Sequence, residues 1–153
     1  MITAVVFDLY GTLIRLQCDS RPYQRFAEAQ FSTPREITKR CLITNSPTIT
    51  SFAAEIGADC SQTAMLDVKL ESDLKSAMLF EDTIPCLSKL HASGLKLGLL
   101  SNVATPYKQP FFSLELDRYF TSTIFSCDIG AKKPDQRAFW AVISALDVSP
   151  SGA

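Results

Sequence analysis

Three points along the chain place reactive side chains at the end of an apolar run. The first is Asp8, the second is the pair Ser101 and Asn102, and the third is Lys133 in the sequence GAKKPDQ. A carboxylate can attack as a nucleophile, a hydroxyl and an amide can hold oxygens of a transferred group, and an amine can neutralise charge. These residue types together predict covalent catalysis by an aspartate.

The apolar runs that precede these side chains are short and read as β-strands. They cover 3–7, 95–102 and 122–128. Helix signals lie before the second run, between the second and third runs, and after the third. Alternation of apolar strands with helices is typical of a parallel sheet with helices on both faces. Parallel strands end at one edge of the sheet, so we expect the reactive side chains to meet there. The sequence therefore predicts an α/β fold with a three-layer, Rossmann-like core.

The segment between the first and second strands has a different pattern. It contains signals for several short helices, such as Ile49, Phe52 and Ile56 along one helical face, and almost no strand signal. We predict that 15–82 forms a small helical unit inserted after the first strand, and that 1–14 and 83–153 form the α/β core. A helix starting at Pro134 closes the core, and the residues expected on its inner face are Phe139, Val142, Ile143 and Leu146.

Composition excludes several functional classes. The 153 residues are 46% hydrophobic with a net charge of −1, which fits one domain with an insertion and implies no basic face. Nucleic acid and membranes are therefore not expected as partners, and no run approaches the length of a membrane span. Five scattered cysteines indicate reduced thiols in a cytoplasmic protein. His91, the single histidine, has no acid or nucleophile beside it, which disfavours a Ser-His-Asp or Cys-His mechanism.

The order of the motifs resembles that of the haloacid dehalogenase-like (HAD) superfamily of hydrolases. The family's first motif, an apolar strand followed by Asp-x-Asp-Gly-Thr or a variant, is matched by DLYGT at 8–12. Its second motif, a strand ending in Ser or Thr, is matched by Ser101, and its third, a Lys before Pro-Asp, by 133–135. The helical segment 15–82 corresponds to the family's cap. The resemblance covers essentially the whole chain and implies that Asp8 is the nucleophile acting on a small molecule.

The resemblance also implies where the substrate binds. The turn after the nucleophile would contact the transferred group, and its residues are Leu9, Tyr10, Gly11 and Thr12. An arginine for a substrate carboxylate is expected soon after the first motif or in the cap. The candidates are Arg15, Arg21 and Arg25.

Tyr10 stands where the phosphatases of this superfamily have a second Asp, which is their general acid and base. A tyrosine with its ordinary pKa near 10 is a poor base at neutral pH. The 2-haloacid dehalogenases resemble this chain more closely, with Asp-x-Tyr-Gly-Thr-Leu and a Ser-Asn pair, and their halide leaves without a proton. The resemblance thus implies no cofactor for dehalogenase-like chemistry, and Mg²⁺ with Asp8 as a ligand for phosphatase-like chemistry.

The superfamily's fourth motif, a further strand with Gly-Asp and another acid, has no match before the chain ends at Ala153. We therefore expect a truncated chain with weak or no activity of its own. The strand at 3–7 would be an open edge that a second copy, a swapped segment or the cap would cover. A non-catalytic binding or regulatory domain derived from such a hydrolase is the alternative. A receiver-type phosphoacceptor is disfavoured, because Asp8 follows the first strand.

Overall fold

A computed structural model describes residues 1–152. Its strands are β1 (Ala4–Phe7), β2 (Ile14–Leu16), β3 (Ala77–Leu79), β4 (Lys96–Ser101) and β5 (Ser122–Phe125). Its α-helices are α1 (Pro22–Gln30), α2 (Pro34–Cys41), α3 (Ile49–Glu55), α4 (Thr63–Lys75), α5 (Thr83–Ala92), α6 (Gln109–Ser113), α7 (Ser126–Ile129) and α8 (Gln136–Leu146). Turns of 3₁₀ helix occupy Thr105–Lys108, Asp117–Tyr119 and Pro150–Gly152. None of the helices in this range has the length and apolar character needed to cross a membrane.

The core is a parallel sheet with the strand order β1-β4-β5. Val6 pairs with Gly98, which pairs in turn with Ser122 on the other side. The three predicted strands are confirmed, but the third ends at Phe125 instead of continuing to 128. The chain leaves the sheet there because Ser126 begins α7 and its side chain forms hydrogen bonds to other segments.

Helices cover both faces of this sheet. On one face, Leu100 packs in a buried cluster with Leu146 of α8. On the other face, Leu99 packs in a cluster with Leu87 of α5 and with Phe111. The predicted three-layer α/β core is therefore confirmed.

Helix α8 lies very close to β4 at Gly98. A Cβ atom at this position would lie 2.8 Å from Cδ1 of Leu146 and 3.0 Å from Cγ2 of Val142. The predicted inner face of α8 is right for Val142 and Leu146 but wrong for Phe139, which is 42% exposed. The fully buried residue beside it is Ala138, whose small side chain fits the close approach of the helix to the sheet.

Helices α1–α4 pack around a second apolar cluster, which includes Phe26, Phe52 and Leu70 and is completed by Ala104 and Tyr107 after β4. The prediction of short helices in this segment is confirmed, and the structure adds two three-residue strands at its ends that the sequence did not predict. β2 and β3 pair antiparallel, with Ile14 opposite Leu79, where the chain leaves and re-enters the α/β core. Strands of three residues are too short to show a periodic sequence pattern, which is why the sequence did not reveal them.

β1 has one open side in the part of the chain that the structure describes. It pairs with β4 alone. Ala4 is buried, whereas Val5, Val6 and Phe7 are partly exposed. The strand at 3–7 is thus an edge strand over residues 1–152, as expected.

Candidate active site

The structure brings Asp8 and Lys133 into direct contact. Asp8 follows β1, and Lys133 lies in the loop between α7 and α8. Lys133 Nζ lies 2.9 Å from Asp8 Oδ1, and the Asp8 side chain remains 42% exposed. The arrangement pairs a carboxylate with a cation while leaving the carboxylate open to an incoming small molecule.

Lys133 is held by the end of β4. Its Nζ donates to the carbonyl oxygen of Leu100 at 2.8 Å. Its backbone N–H donates to Asn102 Oδ1 at 2.8 Å, and Asn102 Nδ2 donates to the Lys133 carbonyl at 3.1 Å. The sequence predicted that Asn102 holds oxygens of a transferred group, whereas in the structure both ends of its amide contact the backbone of Lys133.

Backbone hydrogen bonds close the turn after Asp8. Gly11 adopts a φ of +78°, a left-handed conformation that glycine adopts readily. The carbonyl of Leu9 accepts the N–H of Leu13 at 2.8 Å, which closes the turn. The N–H group of Tyr10, a partly exposed residue, donates to no other residue within 1–152 and can donate to an anionic ligand. Leu9 is 0% exposed as a whole residue, so neither its side chain nor its backbone is open to a ligand in this structure.

Ser101 and Thr12 differ in their surroundings. Ser101 is 2% exposed at the end of β4, and its hydroxyl has no hydrogen-bond partner among the described residues. That leaves the hydroxyl free for a ligand at the edge where Asp8 lies. Thr12 is exposed to solvent.

Tyr10 is fixed by a neighbouring tyrosine. Its hydroxyl donates to the carbonyl oxygen of Tyr107 at 2.8 Å, and the two rings meet edge to face with centroids 5.7 Å apart. Burial, with a smaller contribution from Tyr107, raises the pKa of Tyr10 far above its ordinary value. The Tyr10 hydroxyl is therefore a structural donor that stays protonated, and it is not a base near neutral pH.

A cavity of about 690 Å³ lies between the core and helices α1 and α2. Tyr10, Asn102 and Tyr107 line it from the core, and Arg21 and Arg35 line it from the helical side. The cavity thus opens next to the turn after Asp8, and its helical side carries charges of both signs, from Arg21, Arg35 and Lys39 and from Asp19 and Glu28.

Of the three candidate arginines, Arg21 alone lines this cavity. Arg15 lies over the ring of Phe80, with its guanidinium carbon 5.6 Å from the ring centroid. Arg25 lines a separate cavity against α4. The structure therefore separates three arginines that the sequence left equivalent.

Ser126 connects the helical segment to the core, and sequence reasoning missed it. Its hydroxyl donates to the carbonyl of Leu42, just after α2, at 2.5 Å, and accepts the N–H of Val103 at 3.0 Å. Ser126 is fully buried, so these bonds fix one wall of the cavity. A serine at the end of an apolar strand was the available signal, but its partners are distant in sequence.

The described residues do not fit a magnesium site. No group of three or more His, Cys, Asp or Glu side chains within 1–152 is arranged to hold a metal ion. The ionic partner of Asp8 is Lys133, a cation, and Tyr10 occupies the position of the second acid. Mg²⁺ prefers several oxygen ligands, including carboxylates, so we derive no chemical step through a metal here.

Comparison with known proteins places these features in a family context. A family model described as haloacid dehalogenase-like hydrolase matches residues 2–153. A phosphoglycolate phosphatase of Salmonella paratyphi A (strain ATCC 9150 / SARB42) is 38% identical over 77 residues, which are 50% of this chain and 31% of that relative. The match thus spans about a third of the length of that relative.

Solved structures share the fold. A dehalogenase superposes with a TM-score of 0.62 at 22% identity, covering 97% of this chain and 73% of that one. A predicted phosphoglycolate phosphatase from Haemophilus somnus 129pt superposes with a TM-score of 0.65 at 13% identity, covering 99% of this chain and 74% of that one. At these identities the likeness concerns the fold alone.

Proposed function

Because the chain belongs to the haloacid dehalogenase-like hydrolase family, we propose that it acts on small carboxylic acids substituted at carbon 2, with Asp8 as the nucleophile. The observation that carries this proposal is the contact between Asp8 Oδ1 and Lys133 Nζ at 2.9 Å, on a carboxylate that remains open to a ligand. Attack by one anion on another is disfavoured by repulsion, and the amine offsets that repulsion.

In the first step, a carboxylate oxygen of Asp8 attacks carbon 2 of the substrate. A carbon–oxygen bond to Asp8 forms while the bond to the leaving group breaks, and a halide departs with the bonding electron pair. No proton is needed, which agrees with a tyrosine at position 10 whose hydroxyl is held by Tyr107. The product of this step is an ester of Asp8.

In the second step, water attacks the ester carbonyl, which frees Asp8 and releases a 2-hydroxy acid. The N–H group of Tyr10, which donates to no other residue within 1–152, would stabilise the oxyanion that forms. This step needs a base for the water, and Tyr10, at the position of the second acid, does not supply one because its hydroxyl stays protonated. We therefore expect the ester to accumulate on this chain, in keeping with weak or absent turnover.

Arg21 supports the substrate class. It lines the cavity, its Nε lies 3.9 Å from Asp19 Oδ2, and the other N–H groups of a guanidinium can bind a substrate carboxylate. The substrate named for the phosphoglycolate phosphatase relatives is also an acid substituted at carbon 2. Phosphoglycolate hydrolysis is the second candidate function, favoured by the 38% identity to that relative over 77 residues, although the metal that phosphatases use does not fit the residues described.

We assign 1–14 and 83–153 to the catalytic core and 15–82 to a cap that selects the substrate. Two observations support this division. Most residues of the second apolar cluster come from the helical segment, and this segment supplies Arg21 and Arg35 to the cavity. The β2–β3 pair lies where the two units join.

The experiment compares two substrates. The chain is incubated with 2-chloropropionate without metal and with phosphoglycolate plus Mg²⁺, and halide, phosphate and covalent adducts are measured. Asp8→Asn is expected to abolish product and adduct, whereas Asp82→Asn, at an exposed position, is the matched control and leaves both unchanged.

Arg21→Gln is expected to weaken substrate binding at least about ten-fold, as loss of a charged hydrogen-bonding partner does. Arg25→Gln, from the same helical unit but a different cavity, is expected to have no effect. Metal-dependent phosphate release would favour the second candidate. Absence of reaction with both substrates would leave the non-catalytic binding domain as the better description.

A further inference from the structure

We infer that Asn102 is a positioning residue, which acts through Lys133 and not by contact with the substrate. Its side-chain amide forms two hydrogen bonds to the backbone of one residue, with Oδ1 at 2.8 Å from the Lys133 nitrogen and Nδ2 at 3.1 Å from the Lys133 carbonyl oxygen. A paired contact of this kind fixes both the distance and the orientation of the peptide it holds.

The end of β4 holds Lys133 at two points along its length. The carbonyl of Leu100 accepts Nζ at 2.8 Å, and two residues later Asn102 holds the backbone. A lysine side chain is long and has many rotamers, so the position of its amine depends on both ends being fixed. With both ends held, Nζ reaches Asp8 Oδ1 at 2.9 Å. Asn102 therefore sets the geometry of the cation that accompanies the proposed nucleophile.

The competing role is direct contact, because Asn102 also lines the cavity beside Tyr10. The two roles differ in a measurable way. If Asn102 acts through Lys133, the substitution of Asn102 does not slow the reaction further in a variant that already lacks the Lys133 amine. If Asn102 binds the substrate itself, the two losses add.

A double-mutant cycle separates these roles, and this part of the test rests on the proposed function. The rate of adduct formation on Asp8 with 2-chloropropionate is measured for Asn102→Ala, Lys133→Met and the double variant. We expect Asn102→Ala to slow the reaction about ten- to a hundred-fold in the parent chain, as the loss of two hydrogen bonds implies. In the Lys133→Met background we expect less than about a two-fold further change. Additive losses would overturn the inference.

Amide hydrogen exchange tests the same inference without any activity. The Lys133 N–H is expected to exchange at least about ten-fold faster in Asn102→Ala, because its acceptor is lost. Asn102→Asp keeps an acceptor oxygen and is expected to retain most of the protection. Asn45→Ala changes the other asparagine of the chain, which is exposed, and is expected to leave Lys133 unaffected.

The two measurements distinguish the possible failures. If the parent chain forms no adduct but Lys133 loses protection in Asn102→Ala alone, the proposed function fails and the positioning contact stands. If Lys133 exchanges equally in the parent and in Asn102→Ala, the inference is wrong whatever the activity. A folded spectrum of Asn102→Asp guards against an Asn102→Ala variant that does not fold.

Discussion

Lys133 Nζ lies 2.9 Å from Asp8 Oδ1 and donates to the Leu100 carbonyl at 2.8 Å, so one side chain joins the ends of β1 and β4. Because both partners of the ion pair are partly exposed, we expect the pair to matter for reactivity more than for stability.

Lys133→Met is therefore expected to slow adduct formation on Asp8 about ten- to a hundred-fold, since a hydrogen bond to a charged group contributes about 1.5–3 kcal/mol. The urea concentration at the midpoint of unfolding is expected to change little. Lys132→Met is the matched control, because Lys132 has no ion pair within residues 1–152, and it should react like the parent chain. Equal rates for the two variants would remove Lys133 from the mechanism.

Tyr10→Phe tests whether the tyrosine takes part in proton transfer. Its hydroxyl donates to the Tyr107 carbonyl, and the loss of that bond is expected to lower the free energy of unfolding by about 1 kcal/mol. The rate of adduct formation should stay within about three-fold of the parent, whereas loss of a general acid or base typically costs about a hundred-fold or more. Tyr119→Phe, at a surface position, controls for the stability effect; a hundred-fold slower reaction in Tyr10→Phe alone would show that the hydroxyl is catalytic.

The four tyrosines are expected to titrate in two groups. Burial raises the pKa of Tyr10, Tyr23 and Tyr107 well above the ordinary value, whereas hydrogen bonds from Ser88 and then Arg118 lower the pKa of Tyr119. A phenol whose pKa is higher in the folded than in the unfolded chain stabilises the fold fully below about pH 10, and that stability is lost as the pH rises further.

Absorbance at the phenolate band should therefore show a single early, reversible ionisation from Tyr119. The other three phenols should ionise together with unfolding. If the Tyr119→Phe variant lacks the early ionisation, that ionisation belongs to Tyr119. Independent early ionisation of three or four phenols would contradict the buried contacts of Tyr10 and Tyr107.

Gly98→Ala tests the close packing of α8 on β4. The added methyl would lie 2.8 Å from Leu146 Cδ1, so the Leu146 side chain or one of the two elements has to shift. We expect the free energy of unfolding to fall by about 1–3 kcal/mol, as overpacking of a core does. Urea denaturation measures the change, and a midpoint equal to or above that of the parent would show that α8 does not pack on the sheet as described.

Much of the fold was predictable because the apolar runs of the core strands and the repeated apolar residues of the longer helices are strong signals. The strands around Val6, Gly98 and Ser122 were expected and are present. The β2–β3 pair was missed because three-residue strands carry no period. Phe139 was placed inward because helical spacing shows which residues share a face but not how the helix is rotated against the sheet. In the structure the buried residues of α8 are Ala138, Val142 and Leu146.

The reactive residues were predictable as a set, since parallel strands end at one edge. Their mutual contacts were not predictable. The sequence could not show that Asn102 turns its amide to the Lys133 backbone, or that Ser126 reaches Leu42, because such bonds depend on the arrangement of loops. Arg21 was one of three equivalent candidates until the structure placed it on the cavity wall.

The most direct test of the account is the site of covalent modification. The chain is incubated with 2-chloropropionate or phosphoglycolate, digested at low pH, and each peptide is weighed by mass spectrometry. We expect a single adduct on the peptide that contains Asp8, which Asp8→Asn eliminates and Asp82→Asn retains. An adduct on another residue, or product release that persists in Asp8→Asn, would contradict the assignment of Asp8 as the nucleophile.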